Sequence, residues 1–366
     1  MLLRKIILSL CLIYLLSANG QAWGQRQAGR VYEFLNLPQT AVITSMGGYG
    51  FPSLVPDTGM SLMIPSLLSQ DHNNYLSLNF VSYFDDINYG TVAFTHHMEG
   101  LGHFAGSVQY INYGRFIEAN ELGHVTGEFT AGEYSFQLGW GRMLNEQFAI
   151  GSNLKVIYSS FYEYSSLGLA TDVSVSYHNA EHLVAASVVA RNIGRQITTY
   201  HEGNRESLPF DLVLGVTKKL ANAPFQFSLV AHNLHHFDLS YDSPLLLPDH
   251  FDGGETNGSF QERAGDVAGN VMRHIILGVE FTPIENFALR AGYNYRRRQE
   301  MKVDTRLSTV GFSWGFGLRV SRFQINYGRS HHHLAGASDS GLSAPNHISV
   351  STSLQELFSR PDTSKQ

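Results

Sequence analysis

The sequence contains a single cysteine and, beyond its first residues, no long hydrophobic run. Cys11 lies within an N-terminal apolar segment, so it offers no disulfide to stabilise the rest of the chain. After residue 24 no stretch reaches the roughly 18 uninterrupted apolar residues that a transmembrane helix requires. No Pro/Ser-rich linker or change in composition marks a domain boundary. These absences argue against a disulfide-stapled domain, a helical membrane protein and a two-domain chain.

Charge is also scarce. Charged residues make up 15% of the chain, and the net charge is −6 at pH 7, so no basic stripe is available to bind nucleic acid. Hydrophobic residues make up 43%, yet the mean hydropathy is only −0.11. This combination is expected when an apolar face is averaged against a polar one.

The first 24 residues have the pattern of a secretory signal peptide. Arg4 and Lys5 form a basic start, an apolar run covers residues 6–16, and small residues precede a cleavage position after Gly24. We therefore predict that residues 1–24 are removed on export and that the mature chain contains no cysteine.

Fourteen later stretches alternate bulky apolar residues with small or polar ones. They cover residues 74–83, 87–97, 103–113, 133–143, 147–159, 166–178, 183–191, 210–219, 225–235, 273–281, 286–296, 307–318, 322–329 and 346–355. In residues 134–141, for example, Tyr134, Phe136, Leu138 and Trp140 occupy one parity, while serine, glutamine and glycine occupy the other. Successive side chains of a β-strand point to opposite faces, so each stretch predicts a strand with one apolar face. Repetition of this pattern with outward aromatic residues is typical of a lipid-facing barrel wall.

The connections between these stretches alternate in length, as expected for a transmembrane barrel. Short connections, such as residues 144–146 and 319–321, alternate with long ones, such as residues 192–209 and 234–272. We therefore predict an all-β protein, a transmembrane antiparallel β-barrel of about 14 strands over residues 73–358. A C-terminal tail covers residues 359–366. The barrel is predicted to lie in the bacterial outer membrane, with both termini on the periplasmic side.

Glycines on the inner parity suggest that another segment lies close to the wall. Glycine inside a strand weakens it unless a backbone approaches closely or the wall bends, and a barrel of this size has space to fill. We expect residues 25–72 to plug the lumen from the periplasmic side, with Leu62 to Leu68 against the inner glycines. A disordered periplasmic leader is the alternative.

Several segments resemble a known family of barrels. These are Phe34-Leu-Asn-Leu-Pro38, the glycine-rich run at Gly47, Ile64-Pro-Ser-Leu-Leu68, Ala190-Arg-Asn-Ile-Gly194, Leu208-Pro-Phe-Asp211 and the stretch from Gly215 to Pro224. With fourteen strands and an inner N-terminal segment, the chain resembles the FadL-like outer-membrane barrels. Within them it is most similar to the PorV/PorQ family of the type IX secretion system, and more to the PorQ type.

The resemblance implies a non-enzymatic outer-membrane barrel that anchors or assembles the cell-surface attachment complex for secreted cargo proteins. The partners it implies are a PorZ-like surface protein, PorU/PorV-like components, lipopolysaccharide and outer-membrane lipid. The alternative function is that of a FadL-like transporter of hydrophobic small molecules. That function requires an apolar pocket and a gap in the wall, which an anchor does not need.

No catalytic, cofactor or metal site is predicted. Gly311-Phe-Ser-Trp-Gly315 matches the G-x-S-x-G pattern of hydrolases. The alternation of a β-strand continues through this motif without interruption, whereas a nucleophile elbow needs a sharp strand-to-helix turn. The 17 histidines include the pair His96-His97 and a triple at residues 331–333. Adjacent strand residues point opposite ways, so His96 and His97 cannot bind one ion together. The acidic stretch 249–255 lacks the ligand spacing of an EF-hand.

Two clusters in the long loops are the candidate partner-binding residues. Leu245, Leu246, Leu247 and Phe251 are apolar residues in the longest loop, and exposed apolar clusters commonly mark interaction sites. Arg296, Arg297 and Arg298 begin another loop and are candidates for binding phosphate on lipopolysaccharide or an acidic partner. An ordinary charged barrel rim is the alternative for the arginines.

Overall fold

The computed structural model describes residues 30–54, 57–68, 73–83, 86–239, 260–300, 309–331 and 345–354. Within these residues fourteen strands form one closed antiparallel barrel, in which each strand pairs with its sequence neighbours and β1 pairs with β14. The predicted fold class is confirmed. The strands are β1 Tyr75–Ser82, β2 Asn88–Met98, β3 Gly102–Ala119, β4 Val125–Met143, β5 Phe148–Phe161, β6 Tyr164–Asn179, β7 Val184–Thr198, β8 Asp211–Lys219, β9 Phe225–Ala231, β10 Ile275–Ile284, β11 Phe287–Asn294, β12 Phe312–Val320, β13 Phe323–Ser330 and β14 Asn346–Ser353.

The helices are short and do not form part of the barrel wall. They are α1 Ala41–Ser45, α2 Thr58–Met63, α3 Phe260–Arg273 and α4 Tyr295–Glu300, with two 3-10 turns at Glu33–Asn36 and Pro65–Leu67. Asp57 caps α2, since its carboxylate accepts a hydrogen bond from Met60 N at 2.9 Å. Among the described residues, no helix has the length and hydropathy to cross a membrane.

Side chains alternate across the wall as the sequence pattern predicts. On β12, Phe312 and Trp314 are 51% and 44% exposed, whereas Ser313 between them is 2% exposed. Trp140 lies on the outward parity of β4 and donates a hydrogen bond to the carbonyl of Leu101. The prediction that these three aromatic residues face outward is confirmed. A closed barrel with an apolar outer face fits the bacterial outer membrane.

β3 and β4 extend well beyond the predicted strands. We expected a loop over residues 114–132, but β3 continues to Ala119 and β4 begins at Val125, so the two strands form a long hairpin. The register shifts between Asn112 and Arg115, and Gly114 has a φ of 84°. This bulge adds one residue to β3 and shifts the two-residue period, so the alternation in the sequence is interrupted although the strand pairing continues.

The N-terminal segment fills the lumen, as predicted. A Cβ atom at Gly151 would lie 2.3 Å from the carbonyl carbon of Pro65, and one at Gly292 would lie 2.4 Å from that of Met46. An added Cβ would lie within 2.7 Å of a segment atom at six further inner glycines: Gly141, Gly168, Gly215, Gly278, Gly315 and Gly328. The missing side chains therefore provide the space that the segment occupies. Its exact limits, residues 25 and 72, lie outside the described residues.

The segment runs between the two ends of the barrel. Residues 65–68 pack near the short β4–β5 turn, as expected for the periplasmic mouth. Arg30, in contrast, bridges Ser207 in the β7–β8 connection, at the end where the long loops lie. We call this end the long-loop mouth. Its assignment to the cell exterior follows from loop length and remains a prediction.

Apolar contacts hold the middle of the segment against the wall. Met46, Phe51 and Met60 belong to a buried cluster that also contains Val213 and Ile276 of the barrel. Full burial of such a side chain contributes about 1.5–3 kcal/mol. The lumen thus has a hydrophobic core of its own between the segment and the wall.

Candidate functional site

A buried charge network holds the start of the N-terminal segment. Lys155 Nζ lies 2.7 Å from Asp172 Oδ2, and both side chains are at most 1% exposed. Lys155 also donates to Asn192 Oδ1 at 2.9 Å, and Asn192 N donates to Asp172 Oδ1 at 2.8 Å. A buried ion pair is tolerated only when further hydrogen bonds satisfy its atoms, and here Asn192 supplies them.

A bulge in β7 allows Asn192 to take this position. The β6–β7 register shifts between Thr171 and Val173, and Asn192 has a φ of 55°, which asparagine tolerates better than most residues. Asn192 Nδ2 donates to the carbonyl of Pro209 at 2.9 Å, and Arg191 Nη2 donates to that of Leu35 at 3.1 Å. Residues 190–194 and 208–211 therefore help to position the start of the N-terminal segment.

Sequence reasoning did not single out Lys155 or Asp172. Each is one charge on the inner parity of its strand, where polar residues are ordinary. Their 17-residue separation gives no sign that β5 and β6 bring them together. One feature of the sequence could have indicated the pair: two residues of opposite charge occupy inward-facing positions of adjacent predicted strands, in a chain with few charged residues.

The predicted arginine cluster divides between different environments. Arg296 Nε donates to Glu300 Oε1 at 2.7 Å within α4. Arg297 Nη1 donates to Ser330 Oγ at 2.6 Å, and its guanidinium also lies beside Gly48 of the N-terminal segment. Arg298 packs beside Gly311. Arg296 lines the larger cavity at the long-loop mouth and Arg297 lines a smaller one, so these two guanidinium groups do not share one site.

A polar cavity of about 430 Å³ opens at the long-loop mouth. Within the described part of the chain, six residues line it: Arg30, Glu33, Asn36, Tyr49, Asn233 and Arg296. Four of them come from the N-terminal segment, and the other two follow the ends of β9 and β11. A second cavity, of about 160 Å³, shares Asn36 and Tyr49 with the first and is also lined by Arg297 and His347.

Buried histidines support the floor of the larger cavity. His232 is 1% exposed, stacks on Tyr49 with ring centroids 4.4 Å apart, and lies 6.4 Å from the ring of His274. Burial, reinforced by the charge of Arg296, lowers the pKa of His232 to about 3. His232 is therefore neutral at physiological pH.

The β3–β4 hairpin presents an apolar surface at the same end. Ile117, Leu122 and Val125 are 69%, 80% and 67% exposed. Phe116 stacks on Phe129 at 5.2 Å, which stiffens the hairpin beneath these residues. The strand pairing of β2 ends opposite Asn112, and that of β5 ends opposite Ala131, so both hairpin edges are free of these neighbours.

The remaining predicted sites have simple outcomes. Ser313 is a lumen residue that donates a hydrogen bond to the carbonyl of Ser45 at 3.1 Å, so it lies on a straight strand and not on a nucleophile elbow. In the part of the chain that the structure describes, no group of three or more His, Cys, Asp or Glu side chains could hold a metal ion. The other predicted features lie outside the described residues. They are the signal peptide, the loop residues Leu245, Leu246, Leu247 and Phe251, the acidic stretch 249–255, His332, His333 and the tail at 359–366.

No protein-family model matches this chain, and no curated protein is similar enough to match it. Several solved barrels have a similar fold. The Pseudomonas putida toluene transporter TodX is 10% identical with a TM-score of 0.49, and the similarity covers 87% of this chain and 99% of TodX. A Pseudomonas aeruginosa FadL homologue is 9% identical with a TM-score of 0.47, covering 86% and 98%. CymD, a monoaromatic hydrocarbon channel, is 12% identical with a TM-score of 0.44, covering 86% and 97%. At these identities the likeness concerns the fold and assigns no function.

Proposed function

We propose that this chain is a non-enzymatic outer-membrane barrel of the type IX secretion system, which anchors or assembles the cell-surface attachment complex for secreted cargo. The observation that carries the proposal is the filled lumen. The N-terminal segment packs on inner glycines from one end of the barrel to the other, and β1 to β14 pair without a break in the described wall. An anchor needs a stable wall and no route through it.

The family resemblance supports the same function through specific residues. Arg191 and Asn192 belong to one resembling segment, and Pro209 and Asp211 belong to another. Arg191 binds the N-terminal segment through the carbonyl of Leu35, and Asn192 binds Pro209 while it also belongs to the buried charge network. Residues that distinguish the family would then serve to keep the barrel closed.

The long-loop mouth supplies surfaces for partners. The exposed apolar tip of the β3–β4 hairpin fits docking of another protein, because large apolar side chains exposed together commonly mark interaction sites. We propose that a PorZ-like surface protein docks at this mouth, with PorU/PorV-like components in the same complex. The loop residues Leu245, Leu246, Leu247 and Phe251, the arginines 296–298 and lipopolysaccharide belong to the same proposal.

Replacement of the hairpin tip tests the anchor function. We expect the triple variant Ile117→Asp, Leu122→Asp, Val125→Asp to assemble normally but to capture less surface protein from detergent-solubilised outer membrane. The matched control is Leu144→Asp, since Leu144 is 56% exposed in a short turn at the opposite end. Barrel abundance and heat-modifiable mobility are measured in the same cells. Full retention of every partner by the assembled triple variant would contradict docking at the hairpin.

The second candidate function is transport of hydrophobic small molecules. The observation that favours it is the apolar contact between segment and wall, in which Met46, Met60 and Met63 are buried. Methionine side chains are flexible and adapt to different neighbours. If the segment moved, an apolar molecule could therefore pass between the segment and the wall. Uptake of radiolabelled toluene into proteoliposomes containing the full chain tests this function, with protein-free liposomes as the control.

A further inference from the structure

The larger cavity at the long-loop mouth has the chemistry of a sugar-binding site. We propose that it binds a saccharide, held by the polar side chains of its six lining residues. This inference does not depend on the secretion-system function proposed above, because it rests only on the cavity. The residues concerned are Arg30, Glu33, Asn36, Tyr49, Asn233 and Arg296.

The lining offers hydrogen-bond donors and acceptors together. Glu33 Oε2 accepts from Asn36 Nδ2 at 3.0 Å, and the carboxylate has further lone pairs for a ligand. Arg296 uses Nε for Glu300, which leaves the donors of its terminal nitrogens. A hydroxyl group both donates and accepts, so a ligand rich in hydroxyls can use all of these groups.

The local charge balance disfavours a simple anion. Arg30 and Arg296 bring two positive charges to the cavity, while Glu33 and Glu300, the ion-pair partner of Arg296, bring two negative ones. A bare phosphate would gain from the guanidinium groups but would face the Glu33 carboxylate. A neutral or weakly charged polyhydroxylated ligand meets no such repulsion.

Buried contacts fix the lining before any ligand binds. Asn233 is 6% exposed, and its backbone N donates to Asp211 Oδ1 at 2.6 Å. Tyr49 is stacked on His232 at 4.4 Å, and Asn36 Oδ1 accepts from Asn192 Nδ2 at 3.5 Å. Side chains that are already ordered lose little conformational entropy on binding, so preorganisation of this kind favours affinity.

The size and character of the cavity agree with this ligand class. Its volume of about 430 Å³ is within the range of small-ligand pockets, roughly 300–1,000 Å³. Among the described residues that line the cavity, only Tyr49 is aromatic or aliphatic, so this part of the lining does not offer the apolar surface that a hydrocarbon requires. From loop length we predict that this mouth lies on the cell surface, where polysaccharide is present.

Binding is tested with the purified full chain in detergent, using isothermal titration calorimetry. The probes are polysaccharide released from the host bacterium's lipopolysaccharide by mild acid, maltotriose as a free sugar, and inorganic phosphate. The variants are Arg30→Ala, Asn36→Ala and the shape-conserving Glu33→Gln. The control is Arg142→Ala, an exposed arginine on β4 near the opposite end. Heat-modifiable mobility shows that each variant is folded.

We expect at least one sugar probe to bind, and the cavity variants to weaken that binding at least tenfold while Arg142→Ala leaves it unchanged. Binding of the released polysaccharide alone would assign the site to surface polysaccharide, and binding of maltotriose as well would assign it to oligosaccharides in general. Stronger binding of phosphate than of either sugar would overturn the proposal in favour of an anion site. Absence of sugar binding by the parent chain, or equal losses in Arg142→Ala, would also overturn it.

Discussion

At the scale of single residues, inner glycines make room for the N-terminal segment. A Cβ atom at Gly292 would lie 2.3 Å from Gly47 N and 2.4 Å from the Met46 carbonyl carbon, and these backbone atoms cannot rotate away. We expect Gly292→Ala to destabilise the folded barrel by about 1–3 kcal/mol through overpacking. The measurement is the temperature at which the folded band converts to the unfolded band in a heat-modifiability gel.

The matched control is Gly106→Ala on β3. Gly106 is also a strand glycine, but it is exposed and a Cβ atom there would meet nothing within 4 Å. Both substitutions change β-propensity in the same way, so the difference between them isolates the contact with the segment. Equal transition temperatures for the two variants would contradict close packing at Gly292.

Buried His232 makes the long-loop mouth sensitive to acid. Its pKa in the folded chain is lowered to about 3, against about 6.5 when unfolded, because burial and the charges of Arg296, His274 and Arg297 disfavour the protonated form. The folded state thus binds fewer protons, and the stability from neutral His232 is complete above pH 6.5 and lost as the pH falls towards 3. Between these values the loss is about 1.4 kcal/mol per pH unit.

We therefore expect the heat-modifiability transition to fall between pH 7 and pH 4, and to fall less in His232→Asn. His235 contributes in the same direction, since burial lowers its pKa to about 4. His124, in the exposed β3–β4 turn, provides the control His124→Asn, which should keep the parental pH dependence. A His232→Asn variant with the same pH profile as the parent would show that another group is responsible.

At the scale of elements, the alternation of apolar and polar residues predicts all fourteen strands. It does not predict where a strand ends if a bulge lies before that end. β3 and β7 each extend past a residue with positive φ, Gly114 and Asn192, and the two-residue period shifts there. The predicted strand ending at residue 296 instead ends at Asn294, and α4 follows. Hydrogen bonds between chain segments decide these ends, and a single-sequence pattern does not contain them.

The helix α4 allows two neighbouring arginines to be compared. Arg297 donates to Ser330 at 2.6 Å and approaches Gly48, whereas Arg296 forms an i,i+4 pair with Glu300 at a partly exposed position. A hydrogen bond to a charged group contributes about 1.5–3 kcal/mol, and an exposed helix ion pair about 0.3–0.5 kcal/mol. We expect Arg297→Gln to lower the heat-modifiability transition clearly and Arg296→Gln to change it little. Equal effects would show that the contacts of Arg297 with Ser330 and Gly48 stabilise the fold no more than the exposed ion pair does.

At the scale of the whole molecule, the sequence predicts the barrel but not the path of its contents. Strand number and loop parity follow from a repeated local pattern, so they are visible in one sequence. The position of Arg30 at the long-loop mouth depends on contacts with residues far along the chain, such as Ser207. The mouth cavity could not be predicted for the same reason, since four of its six lining residues belong to this segment.

A disulfide between segment and wall separates the two proposed functions. Ser66 Oγ lies 2.6 Å from Ser176 Oγ, and Ser66 N donates to Ser174 Oγ at 2.8 Å, so these parts of the segment and β6 are in direct contact. In the double variant Ser66→Cys, Ser176→Cys, the two side chains are close enough for a disulfide. Because the mature chain is predicted to contain no other cysteine, oxidation should form this one bond. Failure of the bond to form would contradict the position of the segment.

The locked barrel then gives opposite outcomes for the two functions. An anchor does not need the segment to move, so we expect the oxidised double variant to retain surface proteins as well as the parent does. A hydrophobic-molecule channel would have to displace the segment, so oxidation would abolish toluene uptake and reduction would restore it. The single variant Ser66→Cys, treated with the same oxidant, controls for effects of the substitution. Toluene uptake that depends on reduction, together with unchanged retention of surface proteins in both states, would mean that the barrel transports as well as anchors.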